Sequence, residues 1–144
     1  MEKDVLVRIT GLQLQDEEGR RENVEVMVPG TWFIRNGVHF LRYEEMLDES
    51  GTPTVNYVKL SPGSMEVRKK GLVNVHMVFE RGKKNMTCYT TPFGTLEMGI
   101  AATGLSFTEN EDGLEARVEY SLDINNEFVA ECCLELHVQE TTEG

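Results

Sequence analysis

The chain has 144 residues and a formal net charge of −11, with 40% hydrophobic and 27% charged residues. These values are typical of one globular domain that buries about two-thirds of its unfolded surface, and they exclude a disordered or fibrous chain. The excess of carboxylates opposes binding to nucleic acid, because affinity for a phosphate backbone comes from lysine and arginine. We therefore expect a single domain over residues 1–144 and no nucleic-acid partner.

The first strands are predicted from short alternating runs of apolar and polar residues. The apolar residues of the segment 5–9 share one parity and those from Leu12 onward share the other, which predicts a strand with a bulge at Gly11. Residues 16–19 are polar and contain a glycine, as turns do. A second strand through Val24, Val26 and Val28 is expected to end at Pro29 and Gly30.

Three further segments follow in chain order. Asn36 and Gly37 lie between two apolar runs and form the pair best suited to a type I′ hairpin, because both residues tolerate positive φ. We expect a loop over 47–53 and a strand over 54–60. Another strand begins at Met65, and residues 69–71 favour a tight turn over a bulge within one long strand.

The central stretch, residues 67–100, has the pattern of a β-meander. Val73, Val75, Met77 and Phe79 fall on one face, and residues 80–85 carry turn chemistry. The two-residue period then resumes with Met86, Cys88 and Thr90, and the turn at 92–94 leads into Leu96, Met98 and Ile100.

The last part of the chain predicts two long antiparallel strands. Alternating residues from Leu114 to Ile124 and from Phe128 to Val138 flank Asn125 and Asn126, a hairpin signal. Residues 139–144 are polar and are expected to form a frayed tail. With about ten strands and no helical stripe, the chain is predicted to be all-β, a single antiparallel up-and-down β-barrel, with a two-sheet β-sandwich as the alternative.

The order of several motifs resembles that of the bacterial YwiB-like family of unknown function. The motifs are Tyr43-Glu44-Glu45, Arg68-Lys69-Lys70-Gly71, Met77-Val78-Phe79-Glu80, Tyr89-Thr90-Thr91-Pro92-Phe93-Gly94 and Tyr120-Ser121-Leu122. The resemblance covers nearly the whole chain and implies a calycin-like, lipocalin-type barrel. It implies no activity, because the family has none established.

Motifs for catalysis and for cofactor binding are missing from the sequence. It contains no phosphate-binding glycine motif and no GxSxG nucleophile turn. His39, His76 and His137 lie on different predicted strands and are expected on solvated faces, so no metal site is predicted. We expect no cofactor and no catalytic residues, and we favour a non-enzymatic protein.

The acidic N-terminus and an apolar run that is interrupted at Arg8 fit neither a signal peptide nor a membrane span. Three cysteines cannot pair completely within one chain, and the side chains of Cys132 and Cys133 should point to opposite faces of a strand. We expect buried thiols in a reducing compartment rather than disulfides. The chain is accordingly predicted to be cytoplasmic, without a membrane partner.

Polar residues with the wrong parity for a plain core are the candidates for a ligand site. They are Tyr43, Glu45, Arg68, Tyr89 and Glu97. A small barrel can hold one ligand, so a small, partly apolar molecule inside the barrel is the first hypothesis. In the alternative, Arg68 pairs with a carboxylate, the tyrosine rings pack, and the chain is a structural or protein-interaction module.

Basic residues collect at 68–70 and again at 81–84 in an otherwise acidic chain. A strand over 72–79 would be about 25 Å long and would hold these two groups at opposite ends of the barrel. We therefore expect separate solubilising clusters rather than one patch, with a docking spot for an acidic partner as the alternative.

Overall fold

The structure is a computed structural model that describes residues 2–16, 22–46 and 51–141, with only the backbone described for 12–16 and 22–24. It contains ten strands in the described residues. They are β1 (Lys3–Asp16), β2 (Glu22–Arg35), β3 (Val38–Glu45), β4 (Thr54–Ser61), β5 (Ser64–Lys70), β6 (Val75–Glu80), β7 (Lys84–Thr91), β8 (Gly94–Glu109), β9 (Gly113–Ile124) and β10 (Glu127–Glu140). None of the described residues forms a helix of the length and apolar character that crossing a membrane requires.

All ten strands belong to one antiparallel sheet in the order β6-β5-β4-β3-β2-β1-β10-β9-β8-β7. Each strand lies beside its neighbour in the chain, and the first strand pairs with the last. The sheet curls around one core until its two edges, β6 and β7, approach each other. The predicted up-and-down barrel is confirmed, and the alternative of two packed sheets is wrong.

The barrel is nearly closed, and its seam lies between β6 and β7. In the described residues the backbone link across this seam is the bridge between Asn74 and Thr90, whose amides and carbonyls exchange two hydrogen bonds of 2.9 Å. The side-chain amide of Asn85 also donates to the carbonyl of Val78 at 3.2 Å. The hairpin that joins β6 to β7 therefore leaves most of its facing backbone groups without ladder partners.

The two ends of the barrel differ in what they carry. The turns at 36–37, 62–63, 81–83 and 110–112 lie at one end, which we call the terminal end because Thr141 donates to the carbonyl of Asp4 there. The turns at 71–73, 92–93 and 125–126 lie at the other, which we call the far end. The basic segments 68–70 and 81–84 are at opposite ends, as predicted.

The hairpins predicted at Asn36-Gly37 and at Asn125-Asn126 are confirmed. Asn36 and Gly37 have φ of 51° and 77°, and Asn125 and Asn126 have φ of 52° and 67°. A type I′ turn needs positive φ at both central residues, and asparagine and glycine adopt it most readily.

The predicted strand end at Pro29 and Gly30 is wrong, because β2 continues to Arg35. Pro29 pairs with Leu6 of β1, whereas the ladder from β2 to β3 begins only at Gly30. The proline thus lies beyond the end of one ladder, where its missing N–H costs little. A Cβ on Gly30 would lie 2.7 Å from the carbonyl oxygen of Arg42, so this position needs glycine for close approach.

Two further features differ from the prediction. Gly11 pairs regularly on both sides, and the register shift falls between Gln13 and Gln15. The bulge therefore lies beyond Leu12, outside the run in which the parity of the apolar residues changes. β5 extends through Lys70, so the predicted turn begins at Gly71, two residues later than expected. The predicted turn at 16–19 lies outside the described residues except for Asp16, which ends β1.

The prediction of a frayed tail over residues 139–144 is wrong for its first two residues. Gln139 and Glu140 belong to β10 and pair with Leu6 and Val5 of β1. The amide of Glu140 also donates to the carbonyl of Asp112 at 2.7 Å. These ladder bonds hold polar residues in the sheet, and residues 142–144 lie outside the described part of the chain.

One hydrophobic cluster fills the barrel. Its buried members are Val5, Val7, Trp32, Leu41, Tyr43, Val58, Leu60, Met65, Val67, Val75, Phe79, Met98, Ile100, Ala102, Leu114, Ala116, Val118, Leu136 and Val138. Almost every strand contributes alternate residues to it, as a half-buried antiparallel strand should. β7 is the exception, because its apolar Met86 and Cys88 are exposed and its inner face carries residues such as Asn85 and Tyr89.

Candidate functional site

Aromatic rings fill the barrel near the terminal end. His39 on β3 makes an edge contact with Phe107 on β8, with ring centroids 5.6 Å apart. These two strands lie five places apart in a sheet of ten, so the contact crosses the barrel. Deeper inside, Phe79 meets Tyr120 at 5.0 Å. This part of the interior is therefore closed by side chains from opposite walls.

His39 is part of this packing, so the prediction of a solvated face is wrong for this residue. It is 5% exposed, and its Nδ1 accepts a hydrogen bond of 3.1 Å from Nε1 of Trp32. Nε2 lies 3.5 Å from Oε1 of Glu109. Two polar partners compensate for the burial of the imidazole, which is how a histidine is held in an apolar core.

A charged cluster lies on the inner face of the far end. Nζ of Lys69 donates to Oε1 of Glu45 at 2.6 Å and to Oδ1 of Asn56 at 2.7 Å. Nδ2 of Asn56 donates to the same carboxylate oxygen at 2.8 Å. Asn56 is fully buried, and the side chains of Glu45 and Lys69 are 15% and 23% exposed. We call these three residues the far-end triad.

The hydroxyl of Thr54 lies close to this triad without a partner. Thr54 is fully buried, and its Oγ1 is the one buried side-chain nitrogen or oxygen in the described residues that makes no hydrogen bond. Buried polar groups are nearly always paired with protein, water or ligand. A Cβ on Gly71 would lie 2.9 Å from this hydroxyl, so glycine is needed for the close approach of the two segments.

Tyr43 borders the triad and keeps its proton. Burial raises the pKa of Tyr43, and the nearby carboxylate of Glu45 raises this pKa further. Both effects disfavour the phenolate. The neutral phenol is a hydrogen-bond donor at neutral pH.

A cleft of about 360 Å³ opens at the same end of the barrel. Its lining joins Tyr43 and Pro53, the neighbours of the triad and of Thr54, to Arg42 and Glu44 of the outer face, and the triad itself lies behind it. The volume is near the lower limit for pockets that hold small organic molecules. The far end thus combines a cleft of mixed polarity, a neutral phenol and a partly buried ion pair.

The structure brings together only part of the predicted candidate site. Tyr43 and Glu45 lie side by side inside the far end. Tyr89 is half-buried on the inner face of β7, where it packs against the core. Arg68 and Glu97 are exposed on the outer surface, because each follows or precedes a buried residue in an alternating strand.

Sequence reasoning missed Thr54, Asn56 and Lys69. β4 has apolar residues at both odd and even positions, so the pattern alone does not identify its inner face. Lys69 was assigned to a turn, although it shares the parity of Met65 and Val67. That shared parity is the signal that could have placed the lysine inside.

The three cysteines are free thiols in different surroundings. The prediction of buried thiols is wrong for Cys88, which is exposed, whereas Cys133 is buried. Burial raises the pKa of both Cys132 and Cys133. A side-chain hydrogen bond joins Cys132 to Tyr120 of the core, whereas Cys133 lies near Arg117 on the outer face. The two side chains therefore lie on opposite faces of β10. Among the residues described, His, Cys, Asp and Glu side chains form no group of three suited to a metal ion.

These features define a small all-β barrel protein with ten antiparallel strands and a polar cluster inside one end. A family model described as a domain of unknown function (DUF1934) matches residues 7–136, and the chain belongs to this family. The chain is 23% identical over 112 residues to the uncharacterized beta-barrel protein YwiB of Bacillus subtilis (strain 168), a stretch that covers 78% of each chain.

The fold is shared with a solved structure. The crystal structure of the ywiB protein from Bacillus subtilis superimposes with a TM-score of 0.77 at 18% sequence identity. The match covers 98% of this chain and 94% of that chain. At this level of identity the match establishes the barrel fold alone.

Proposed function

We propose that this chain is a non-enzymatic binding protein that takes one small, partly apolar molecule at the far end of its barrel. The observation that supports the proposal best is the far-end triad together with the unpaired hydroxyl of Thr54. The desolvation penalty of a buried ion pair can exceed its electrostatic gain, so such a pair is better explained by a binding role than by stability. A polar group of the ligand would satisfy the hydroxyl.

The surrounding residues have complementary roles in this proposal. Lys69 and Asn56 supply hydrogen-bond donors, Glu45 supplies an acceptor, and the neutral phenol of Tyr43 supplies a further donor. The apolar part of the ligand would lie against Met46 on the cleft wall. Entry at one end of the barrel corresponds to a lipocalin-type mode of binding.

The proposal includes a bacterial, cytoplasmic setting. A bacterial relative and three cysteines that form no disulfide support it. The excess of acidic residues supports the absence of a nucleic-acid partner. Arg68 and Glu97 have no part in this site, because they lie on the outer surface.

Native mass spectrometry of protein purified under mild conditions tests the proposal. The protein should carry an additional small mass that denaturation releases. Lys69→Met removes the charge inside the far end and should abolish the additional mass. Thr108→Val changes an exposed threonine on β8 and should leave it unchanged.

The result contradicts the proposal if the wild-type protein has only its own mass under every mild condition. Circular dichroism of each variant is needed as a control for folding. Loss of the ligand from Lys69→Met is informative only if the variant keeps the wild-type spectrum.

The second candidate function is a structural or protein-interaction module whose barrel holds no ligand. The observation in its favour is Phe93, which is 99% exposed at the tip of the β7–β8 turn. An exposed aromatic side chain is a common anchor in protein interfaces. Phe93→Ser should abolish recovery of a specific partner in co-purification, while Lys69→Met should leave that recovery unchanged.

A further inference from the structure

The outer surface of strands β2 to β6 carries a second cleft, which shares Thr31 and Arg42 with the far-end cleft but includes no residue of the far-end triad. Its volume is about 580 Å³, within the range of small-molecule pockets. Its side chains project from the outer face of these strands, opposite to the face that packs into the core. Because the wall of the barrel separates this cleft from the interior, a ligand can occupy it while the lumen stays packed.

The centre of this cleft is a tyrosine between two arginines. Tyr57 on β4 pairs directly with Arg42 on β3 and with Arg68 on β5. Directly opposed side chains on neighbouring strands have Cβ atoms about 5 Å apart. Nζ of Lys70 lies 5.9 Å from the centroid of the Tyr57 ring. Two arginines therefore flank Tyr57 on the adjacent strands and a lysine lies near its ring, and Tyr57 is 43% exposed.

The positive charges of the cleft are not balanced locally. Its lining includes four lysine and arginine side chains against two carboxylates, in a chain whose net charge is −11. Arg68 makes no hydrogen bond or ion pair with any residue that the structure describes, and Arg42 reaches Glu44 only at 3.5 Å. Arg42 on β3 and Arg68 on β5 lie two strands apart with Tyr57 between them, and their like charges repel each other. A bound anion would relieve this repulsion.

Flat apolar surface adjoins the cations. Phe33 and Phe40 stack with ring centroids 4.9 Å apart and planes 10° apart. Both rings line the same cleft as Tyr57. Both phenylalanines are half-buried, and partly exposed rings that lie in one cleft offer faces on which another ring can stack.

We propose that this outer cleft binds a small aromatic anion, whose carboxylate, sulfonate or phosphate group lies between Arg42 and Arg68 and whose ring stacks on Tyr57 and Phe40. Guanidinium groups bind such oxyanions with two parallel hydrogen bonds. The cleft volume suits one molecule of drug size. A polyanion is disfavoured, because the acidic surface outside the cleft would repel the rest of its charge.

Anilinonaphthalene sulfonate is a suitable probe, since it joins a flat aromatic system to one anionic group. Its uncharged relative phenylnaphthylamine serves as the matched ligand. We expect the sulfonate to bind at one site and at least about tenfold more tightly than the uncharged compound, the loss expected when a charge-assisted contact is absent.

Arg68→Gln should weaken binding of the sulfonate at least about tenfold for the same reason. Arg81→Gln removes a positive charge from an exposed turn outside the cleft and is the control, whose affinity should equal that of the wild type. Both variants change exposed residues, and equal thermal unfolding midpoints would verify that folding is unaffected.

The proposal is overturned if the sulfonate does not bind, if Arg68→Gln binds it as the wild type does, or if the uncharged compound binds equally well. If a short oligothymidylate or an acidic peptide displaces the probe while benzoate and phenyl phosphate do not, the occupant of the cleft is that class of macromolecule and not a small anion. Lys69→Met, which tests the far-end site, should leave binding of the probe unchanged.

Discussion

The turn between β7 and β8 depends on a glycine at its last position. Gly94 has a φ of 133°, in the region that L side chains rarely adopt. In the described structure no heavy atom lies within 4 Å of the position that a Cβ on Gly94 would take. An alanine would therefore be strained by its backbone rather than by a clash. The hydroxyl of Thr91 donates to the carbonyl of Gly94 at 3.1 Å and closes the turn.

We expect Gly94→Ala to lower the free energy of unfolding by roughly 1 kcal/mol or more. The midpoint of urea unfolding measures the change. Gly104→Ala is the matched control, because its Cβ would lie an ordinary 3.7 Å from Oε2 of Glu119. Its midpoint should be unchanged or slightly higher. Equal midpoints for Gly94→Ala and the wild type would show that the turn tolerates a side chain.

Two tyrosines resist ionisation in the folded protein. Burial raises the pKa of Tyr43 and of Tyr120, with smaller contributions from Glu45 and Cys132 respectively. In the unfolded chain both phenols ionise near about pH 10. Because the native state holds the protons more tightly, the stability from these groups is complete below that pH and is lost as the pH rises above it.

The free energy of unfolding should therefore fall as the pH rises above about 10, and Tyr43→Phe should fall less steeply. Urea unfolding curves at several alkaline pH values give the slopes. Thr108→Val is the control, since it changes an exposed residue that does not titrate and should leave the slope as it is in the wild type. Identical slopes for the wild type and Tyr43→Phe would contradict the prediction.

At the scale of single elements, the seam between β6 and β7 is the weakest part of the sheet. Successive amides of a strand point to opposite sides, and the amide of Asn74 points to β7. The amides of His76, Val78 and Glu80 therefore also face the seam, whereas those of Val75, Met77 and Phe79 face the ladder to β5.

Hydrogen exchange within β6 should alternate for this reason. We expect the three seam-facing amides to exchange much faster than the three amides that face β5, because only the second set is held by ladder hydrogen bonds. Residue-resolved exchange by NMR compares the two sets in one strand, so each residue has its own neighbour as a control. Equal protection of both sets would mean that the barrel closes fully in solution.

At the scale of the whole molecule, self-repulsion is the main electrostatic feature. The chain has 25 aspartate and glutamate residues against 14 lysine and arginine residues. Surface ion pairs such as Lys3–Glu140 at 3.2 Å are exposed. Each exposed pair contributes about 0–1 kcal/mol. The net repulsion among the excess carboxylates is therefore expected to outweigh these pairs.

Salt should accordingly raise the thermal unfolding midpoint. Increasing NaCl from about 10 mM to about 150 mM shortens the Debye length from about 30 Å to about 8 Å and screens the long-range repulsion. A series in KCl at the same ionic strengths separates screening from effects specific to sodium. A midpoint that decreases with salt would show that the ion pairs dominate.

Local chemistry accounts for the features that the sequence predicted well. Asn36 with Gly37, and Asn125 with Asn126, determine their turns by their own tolerance of positive φ. The alternation of Leu114, Ala116 and Val118 identifies the inner face of β9, because polar residues hold the other parity. Such features depend on residues adjacent in the chain, so a pattern can reveal them.

The candidate site was predicted only in part, because it joins residues distant in the chain. Lys69 and Glu45 are 24 residues apart in the sequence. Their side chains meet Asn56 only after β3, β4 and β5 have paired in register. Arg68 and Lys69 are neighbours with similar chemistry, yet one faces solvent and the other the interior. A shift of one residue in register would exchange them.

The sequence by itself determined an all-β chain, its main hairpins and the up-and-down order of its strands, since these follow from a two-residue period and from turn residues. The tertiary structure decided that the first and last strands pair, that the seam lies between β6 and β7, and that rings from opposite walls fill the terminal end. It also decided which polar residues point inward. The physical reason is that closure of a sheet depends on the summed registers of all ten strands, which no local segment contains.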